Sequence, residues 1–281
     1  MTVTTIAAAL ALAVPATAET GDDPPPPGSN DFACQPAKGH PRPVVLLHGL
    51  SSTRSEHWGY MSPRIADAGY CVFAITYGLD PITRAWPYRP GGTIDIRESA
   101  RELRAFVAEV LAATGARRVD IVGHSEGTIM PRWYLERLGG RRYVKRFVAL
   151  TPLWRGTDLA FTATLRDALA PWGLSQPLVD AFAETLCEAC TQALRGSRFL
   201  RNLNRDGEAI PGIKHTNIVT ATDELVVPYT SGIMADGGKN IVLQDVCPAN
   251  FNEHILVAND PVVLQLFLNA LDPKNSQPIR C

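Results

Sequence analysis

Arg118-Val119-Asp120-Ile121-Val122-Gly123-His124-Ser125-Glu126-Gly127-Thr128-Ile129-Met130 is the stretch that decides the fold. A short β-branched apolar run leads into a G-x-S-x-G pentapeptide, and a helix-like segment leads out. This is the context of a nucleophile elbow, a strained strand-to-helix turn that exposes a serine hydroxyl. Gly123 and Gly127 fit because strand and helix pass too closely there to admit a Cβ. The start of the helix aims backbone N–H groups and a positive dipole end at Ser125. A Gly-rich β-to-α turn that merely contains a serine would share the pattern, so the rest of the chain must supply a base, an acid and an oxyanion hole.

Outward from the elbow, continuous apolar runs recur. Pro43-Val44-Val45-Leu46-Leu47, Cys71-Val72-Phe73-Ala74-Ile75 and Arg146-Phe147-Val148-Ala149-Leu150 read as strands buried on both faces, and so as parallel-sheet material. Asn217-Ile218-Val219-Thr220 and Asn240-Ile241-Val242-Leu243 complete the series. Helical periodicity fills the intervals at 94–113, closed by Thr114-Gly115, at 129–138, and at 261–271 with Pro261 in the first turn. This alternation predicts an α/β fold, a mostly parallel central sheet flanked by helices on both sides. Residues 156–205 break the rhythm with two amphipathic segments, around 160–170 and 177–194. An insertion there would overlie the carboxyl edge of the sheet and form a small helical cap. An ordinary pair of packing helices suits the same pattern.

A chain of 281 residues with 46% hydrophobic and 20% charged residues builds a sizeable globular core. A net charge of −1 offers no basic field and excludes nucleic acid as a partner. Residues 1–18 are uncharged, with an apolar stretch from Ile6 to Val14 and a small-x-small Ala16-Thr17-Ala18 site. They read as a secretory signal peptide, although no Lys or Arg precedes the apolar stretch. That stretch is too short to span a membrane, and no other segment approaches the length. Residues 19–42 form a Pro-rich arm, stiff at Pro24-Pro25-Pro26-Pro27, ahead of a domain over 43–281. The expected setting is extracellular. Six cysteines, an even number, suit that setting and allow 15 pairings. The expected set is sequence-ordered: Cys34 with Cys71, Cys187 with Cys190, Cys247 with Cys281. Each long-loop bridge would contribute roughly 3–4 kcal/mol by restricting the unfolded chain. Cys187-Glu188-Ala189-Cys190 lacks the companion ligands of a zinc site, and no ligand cluster demands a metal.

A serine hydroxyl needs an adjacent base, and the base needs a carboxylate that fixes its tautomer. In elbows of this type the chain order is Ser, acid, His. Only His215 and His254 follow Ser125. His215 precedes a strand and so falls at the wrong end of the sheet. His254, in a loop past the last strand, is the expected base. Asp223 stands just beyond the strand at 217–220 and is the expected acid, with Glu224 the fallback. Asp236, in Ala235-Asp236-Gly237-Gly238, reads as a turn, and Asp245 would only support the pair. For the oxyanion hole, one N–H comes from Glu126 and the other from the loop His48-Gly49-Leu50-Ser51-Ser52, assigned to Leu50. His48 is expected to support that loop; His57 and His124 are expected to pack.

These pieces resemble the secreted bacterial class 2 lipases of the α/β-hydrolase fold. The resemblance is carried by Pro-Val-Val-Leu-Leu-His-Gly (43–49), Gly-Tyr-Cys-Val-Phe-Ala (69–74), Ala-Thr-Gly-Ala (113–116) and Val-Asp-Ile-Val-Gly-His-Ser-Glu-Gly (119–127). It continues through Thr-Asp-Glu-Leu-Val-Val-Pro-Tyr (222–229) and Asp-Val-Cys-Pro (245–248) with His254, so it covers roughly residues 34–281. It implies hydrolysis of acyl glycerols or related water-insoluble esters at a lipid–water interface, without metal or organic cofactor. Glu126 departs from the family pattern, in which Gln is common after the nucleophile. Trp154, Phe161, Trp172 and Leu174 would form an apolar acyl site, or equally belong to the core. Three rivals share the features: a short-chain esterase or polyester hydrolase with the same triad, an acyltransferase, and a non-catalytic hydrolase-like binding protein.

Overall fold

The computed structural model describes residues 23–81, 89–158 and 187–281. Six strands alternate with helices: β1 Val44–Leu47, β2 Val72–Ile75, β3 Val119–His124, β4 Val144–Leu150, β5 Lys214–Val219 and β6 Lys239–Val242. They form one parallel sheet in the order β2-β1-β3-β4-β5-β6. The described helices are α1 Arg54–Trp58, α2 Met61–Asp67, α3 Ile96–Thr114, α4 Glu126–Arg137, α5 Glu188–Gln192, α6 Arg198–Leu203, α7 Leu243–Val246 and α8 Pro261–Leu271. Successive strand residues point to opposite faces. Val45 and Leu47 enter one core with α3 and α4, while Val44 and Leu46 enter a second with α2 and α8. Both faces are covered, which is why β1, β2 and the second half of β4 read as unbroken apolar runs.

The helix ends carry local stop and start chemistry. Asp95 caps α3 at its start, and Gly115 closes it in the left-handed conformation at φ 67°. Asp260 caps α8 through the N–H groups of Val262 and Val263, with Pro261 in the first turn. β5 begins at Lys214, three residues before the apolar run suggests, because Lys214 and Thr216 face outward and break the pattern. His215 therefore lies inside the strand at its amino-terminal end, buried, with Nε2 accepting from the Ile210 N–H at 3.1 Å.

The arm covers an exposed sheet edge. The Asn30 side chain donates to the Ala74 carbonyl at 3.0 Å and accepts from the Ala74 N–H at 2.7 Å, so it serves as a partner for the outer side of β2. Asp23 pairs with Arg54, and the Cys34–Cys71 disulfide pins the arm to the start of β2. Cys187–Cys190 closes the first turn of α5, and Cys247–Cys281 ties the chain's end to the segment after α7. In the region of the anticipated cap, α5 and α6 send Ala189, Phe199, Leu200 and Leu203 into the same core as α3 and α4. Trp154 belongs to that core as well: it is fully buried against Phe147 and Arg132 and does not line the cleft described below. Residues 1–18, the segment around 160–170, and Phe161, Trp172 and Leu174 lie outside the described residues.

Candidate active site

Ser125 joins β3 to α4 at φ 55° and ψ −123°, a conformation costing a non-glycine residue on the order of 1–3 kcal/mol. The surroundings hold it there. Its N–H donates to the Leu150 carbonyl at 3.0 Å, and its own carbonyl accepts from the Thr128 N–H and hydroxyl. A Cβ on Gly123 would lie 2.0 Å from the Gly127 carbonyl oxygen; one on Gly127 would lie 2.5 Å from that of His48. Strand, turn and helix can therefore pack this tightly only with glycine at both positions.

His254 and Asp223 meet across 31 residues of chain. The His254 Nδ1–H points at both carboxylate oxygens of Asp223, at 2.9 and 3.0 Å, and both side chains are buried. Asp223 Oδ1 also accepts from the N–H groups of Leu225 and Val226, which fixes the carboxylate on its turn. Glu224 accepts from the His254 backbone N–H at 3.1 Å, so the two neighbouring carboxylates hold ring and backbone of the same residue. The loop carrying His254 is anchored by groups that sequence reasoning missed. Asp260 accepts from Asn250 and Asn252, and Thr220 and Thr222 donate to the Asn252 carbonyl. The Asn-x-Asn spacing ahead of a capping aspartate was the available signal. Asp245 is exposed and lines a different groove, away from this pair. Asp236 accepts from the N–H groups of Glu208 and Ala209 in a surface turn.

Three imidazoles stand in a row, with centroids 4.7 Å apart from His57 to His124 and from His124 to His254. His124 Nε2 donates to the His254 carbonyl at 2.9 Å, which sets its tautomer. Burial drives His57 down to about 3 and His124 well below the usual imidazole range. Both stay neutral near neutral pH, so neither opposes a positive charge on His254.

The loop after β1 is held from several sides. The His48 Nδ1–H donates to the Gly49 carbonyl at 2.7 Å, and Nε2 accepts from the Tyr77 N–H at 3.2 Å. The Ser51 N–H donates to the Gly91 carbonyl, and the Gly91 N–H donates back to Ser52. Burial lowers His48 to about 4, so it too is neutral. Leu50 and Glu126 both border a cleft of about 560 Å³ that also takes in Ser125 and His254, with apolar walls from Leu153, Ala193, Leu194 and Val226. Leu225 and Ile255 stand at its mouth, 42% and 56% exposed. Among the described residues, no group of three or more His, Cys, Asp or Glu side chains is arranged to hold a metal, and no helix is long and apolar enough to cross a membrane.

The architecture is that of the α/β-hydrolases. Lipase B of Aspergillus fumigatus superposes with a TM-score of 0.68 at 19% identity, over 91% of this chain and 56% of that one. A mature Bacillus licheniformis lipase gives 0.56 at 15%, over 84% and 94%. The family described as Lipase (class 2) matches residues 41–266, and the chain belongs to that family. Among curated relatives, lipase B of Pseudozyma antarctica is 27% identical over 212 residues, 73% of this chain and 54% of its own. A triacylglycerol lipase of Pseudarthrobacter phenanthrenivorans is 27% identical over 205 residues, 69% and 56% respectively. The chain thus spans about half the length of these relatives.

Proposed function

We propose that the protein is a secreted serine carboxylic-ester hydrolase acting on acyl glycerols. The observation that carries this reading is the His254–Asp223 pair at 2.9 Å, facing the same apolar cleft as the strained Ser125. Ser125 Oγ attacks the ester carbonyl carbon while His254 Nε2 takes its proton. Asp223 keeps the Nδ1–H tautomer and stabilises the imidazolium. The N–H groups of Leu50 and Glu126 receive the oxyanion. Collapse returns the proton to the leaving alcohol and leaves an acyl-enzyme, which water cleaves by the same steps in reverse order.

Lipid rather than soluble substrate is favoured by the mouth of the cleft. Leu225 and Ile255, which line it, are 42% and 56% exposed, and Leu256, next in the chain, is 52% exposed. Apolar surface of this kind gains about 25 cal/mol per Å² when a lipid phase covers it. Three disulfides accord with an oxidising compartment.

The test is hydrolysis of p-nitrophenyl esters from acetate to palmitate with Ser125→Ala as the blank. The expected result is Ser125-dependent turnover that holds or rises toward palmitate, with a loss on the order of 10⁴-fold or more in the variant. Turnover confined to acetate and butyrate would make the protein a short-chain esterase or polyester hydrolase. No turnover at all would leave the acyltransferase and binding-protein readings.

A further inference from the structure

Glu126 carries a side chain that the hydrolytic mechanism leaves unused. It is 1% exposed at the first position of α4, beside the nucleophile. Its Oε2 is hydrogen-bonded to the Tyr77 hydroxyl, and that hydroxyl also lies 2.6 Å from the His48 carbonyl oxygen. A phenol has one proton to give, and here it faces two oxygens. If Glu126 were a carboxylate, one of these short oxygen–oxygen contacts would contain no proton. Both are satisfied when Glu126 is a carboxylic acid that donates to Tyr77, and Tyr77 donates to His48.

We propose that Glu126 is a positioning residue that works as a neutral acid, locking the turn at His48–Leu50 through Tyr77 and failing when it ionises. This rests on the reading that the Leu50 and Glu126 N–H groups form the oxyanion hole. Tyr77 grips that turn three ways: by its hydroxyl on the His48 carbonyl, by its N–H on His48 Nε2, and by its ring stacked on the imidazole at 4.2 Å and 10°. Gly91 and Gly92 close the other side, where a Cβ on Gly92 would sit 3.0 Å from Glu126 Oε2 and 3.5 Å from the Leu50 Cα. Loss of the Glu126 proton removes one bond of the chain and places a negative charge beside the oxyanion that forms in the transition state.

The surroundings bear on the proton in the same sense. Burial pushes the Glu126 carboxyl up to about 8; a Tyr77 O–H donated to a Glu126 carboxylate, the arrangement that the proton count disfavours, would work against the rise. Burial and the Glu126 charge raise the Tyr77 phenol well above its usual range, so it keeps its proton. From α3, Glu102 accepts from the Gly78 N–H and adds a further negative charge near Tyr77. From the loop after β1, His48 faces the same group and is neutral; across the cleft stand His57 and His124, also neutral, and the His254–Asp223 pair.

The experiment pairs infrared spectroscopy with kinetics on the intact protein. The difference spectrum between wild type and Glu126→Gln should show a protonated carboxyl stretch at pH 7 that disappears as the pH passes about 8. Over the same interval the wild-type kcat on a soluble ester should fall, by about tenfold per pH unit beyond the titration. Glu126→Gln keeps a donor toward Tyr77 but has no proton to lose, so its normalised profile should lack that fall. Tyr77→Phe should lower kcat by at least about tenfold with KM nearly constant, less than the 10²–10³ of a lost oxyanion donor. An absent carboxyl band at pH 7, or an unchanged alkaline fall in Glu126→Gln, would overturn the proposal. If no Ser125-dependent turnover exists, the hydrolase reading fails, and the infrared titration still decides the state of Glu126.

Discussion

The two ends of β3 bury two carboxyls, and they are treated in opposite ways. At the amino end, Asp120 is fully buried and receives the Arg42 Nε–H on both oxygens at 2.8 and 2.9 Å, with the Arg146 N–H as a second donor. Just past the carboxyl end, Glu126 is as deeply buried, and its oxygen meets a phenol. Burial raises both, Asp120 to about 6 and Glu126 to about 8. The lower value belongs to the carboxyl with an arginine, whose charge and hydrogen bonds oppose desolvation. Near neutral pH, one end of the strand holds a charge paired with arginine and the other holds a proton beside the site. Strain follows the same division. Ser51, Ser125 and Thr151 take positive φ values at or just beyond the carboxyl ends of strands, where the stability given up becomes geometry for chemistry, whereas the fourth such residue among those described, Asn30 in the arm, is of a type that tolerates this conformation.

If that division is right, the largest effect on turnover with the least on stability comes from Asp223→Asn. Asn can still accept from the Leu225 and Val226 N–H groups, so the turn survives. It offers His254 no negative charge and favours the wrong tautomer. We expect kcat to fall on the order of 10⁴-fold, with thermal midpoints alike in calorimetry. A fall of tenfold or less would mean that Glu224, which already holds the His254 backbone, takes over as the acid.

At the opposite end, Arg42→Ala should invert the pattern. It leaves Asp120 buried without its arginine partner, a change that costs about 3 kcal/mol when the lost partner is partly exposed, as Arg42 is. The folded-state value of Asp120 is already above that of the unfolded chain, so the native state binds the proton more tightly. Its contribution is present at low pH and lost as pH rises toward and through 6. Without Arg42 the value rises further, so the variant's deficit in urea melts should grow between pH 5 and pH 8. The kcat/KM of the variant, measured well below its melting range, should match wild type. A constant deficit across that pH range would show that Arg42 contributes packing rather than charge.

The sequence made the sheet legible because burial on both faces writes itself as an unbroken apolar run, and β1, β2 and β4 each carry one, with β3 interrupted by Asp120 alone before its elbow. It failed at the start of β5, where Lys214 and Thr216 face outward and disguise the strand. The elbow was legible for a steric reason: a Cβ on Gly123 or Gly127 would strike backbone where strand and helix cross. The order Ser125, Asp223, His254 could be read because each stands just beyond a strand or in the loop after the last one. The Glu126–Tyr77–His48 chain could not. Its members are 29 and 49 residues apart, and a tyrosine after an apolar strand carries no mark of what its hydroxyl will meet. Trp154 shows a choice that sequence left open, acyl site or core, and the structure makes it core, with Phe147 and Arg132 closed on it.

Glu224→Ala should give the smallest effect and mark how sharp the division is. The Glu224 carboxylate accepts one backbone N–H, that of His254, at 3.1 Å. Removing an exposed acceptor of this kind costs stability about 1 kcal/mol or less, because water replaces it. The same bond fixes where the imidazole begins: on the backbone of His254 it is joined by the His124 Nε2 donation to the carbonyl, while the anchors at Asn250 and Asn252 act two or more residues earlier. A small drift of His254 relative to Ser125 therefore becomes possible, and proton transfer is sensitive to such drift. We expect kcat to drop about three- to tenfold with KM unchanged, while loss of the two hydrogen bonds that the Asn30 side chain makes to the edge of β2, in Asn30→Ala, leaves kcat alone. Equal kcat for Glu224→Ala and wild type would show that the Asp223 contact by itself sets the ring, and that the polar loop around it serves the fold as Asp120 does.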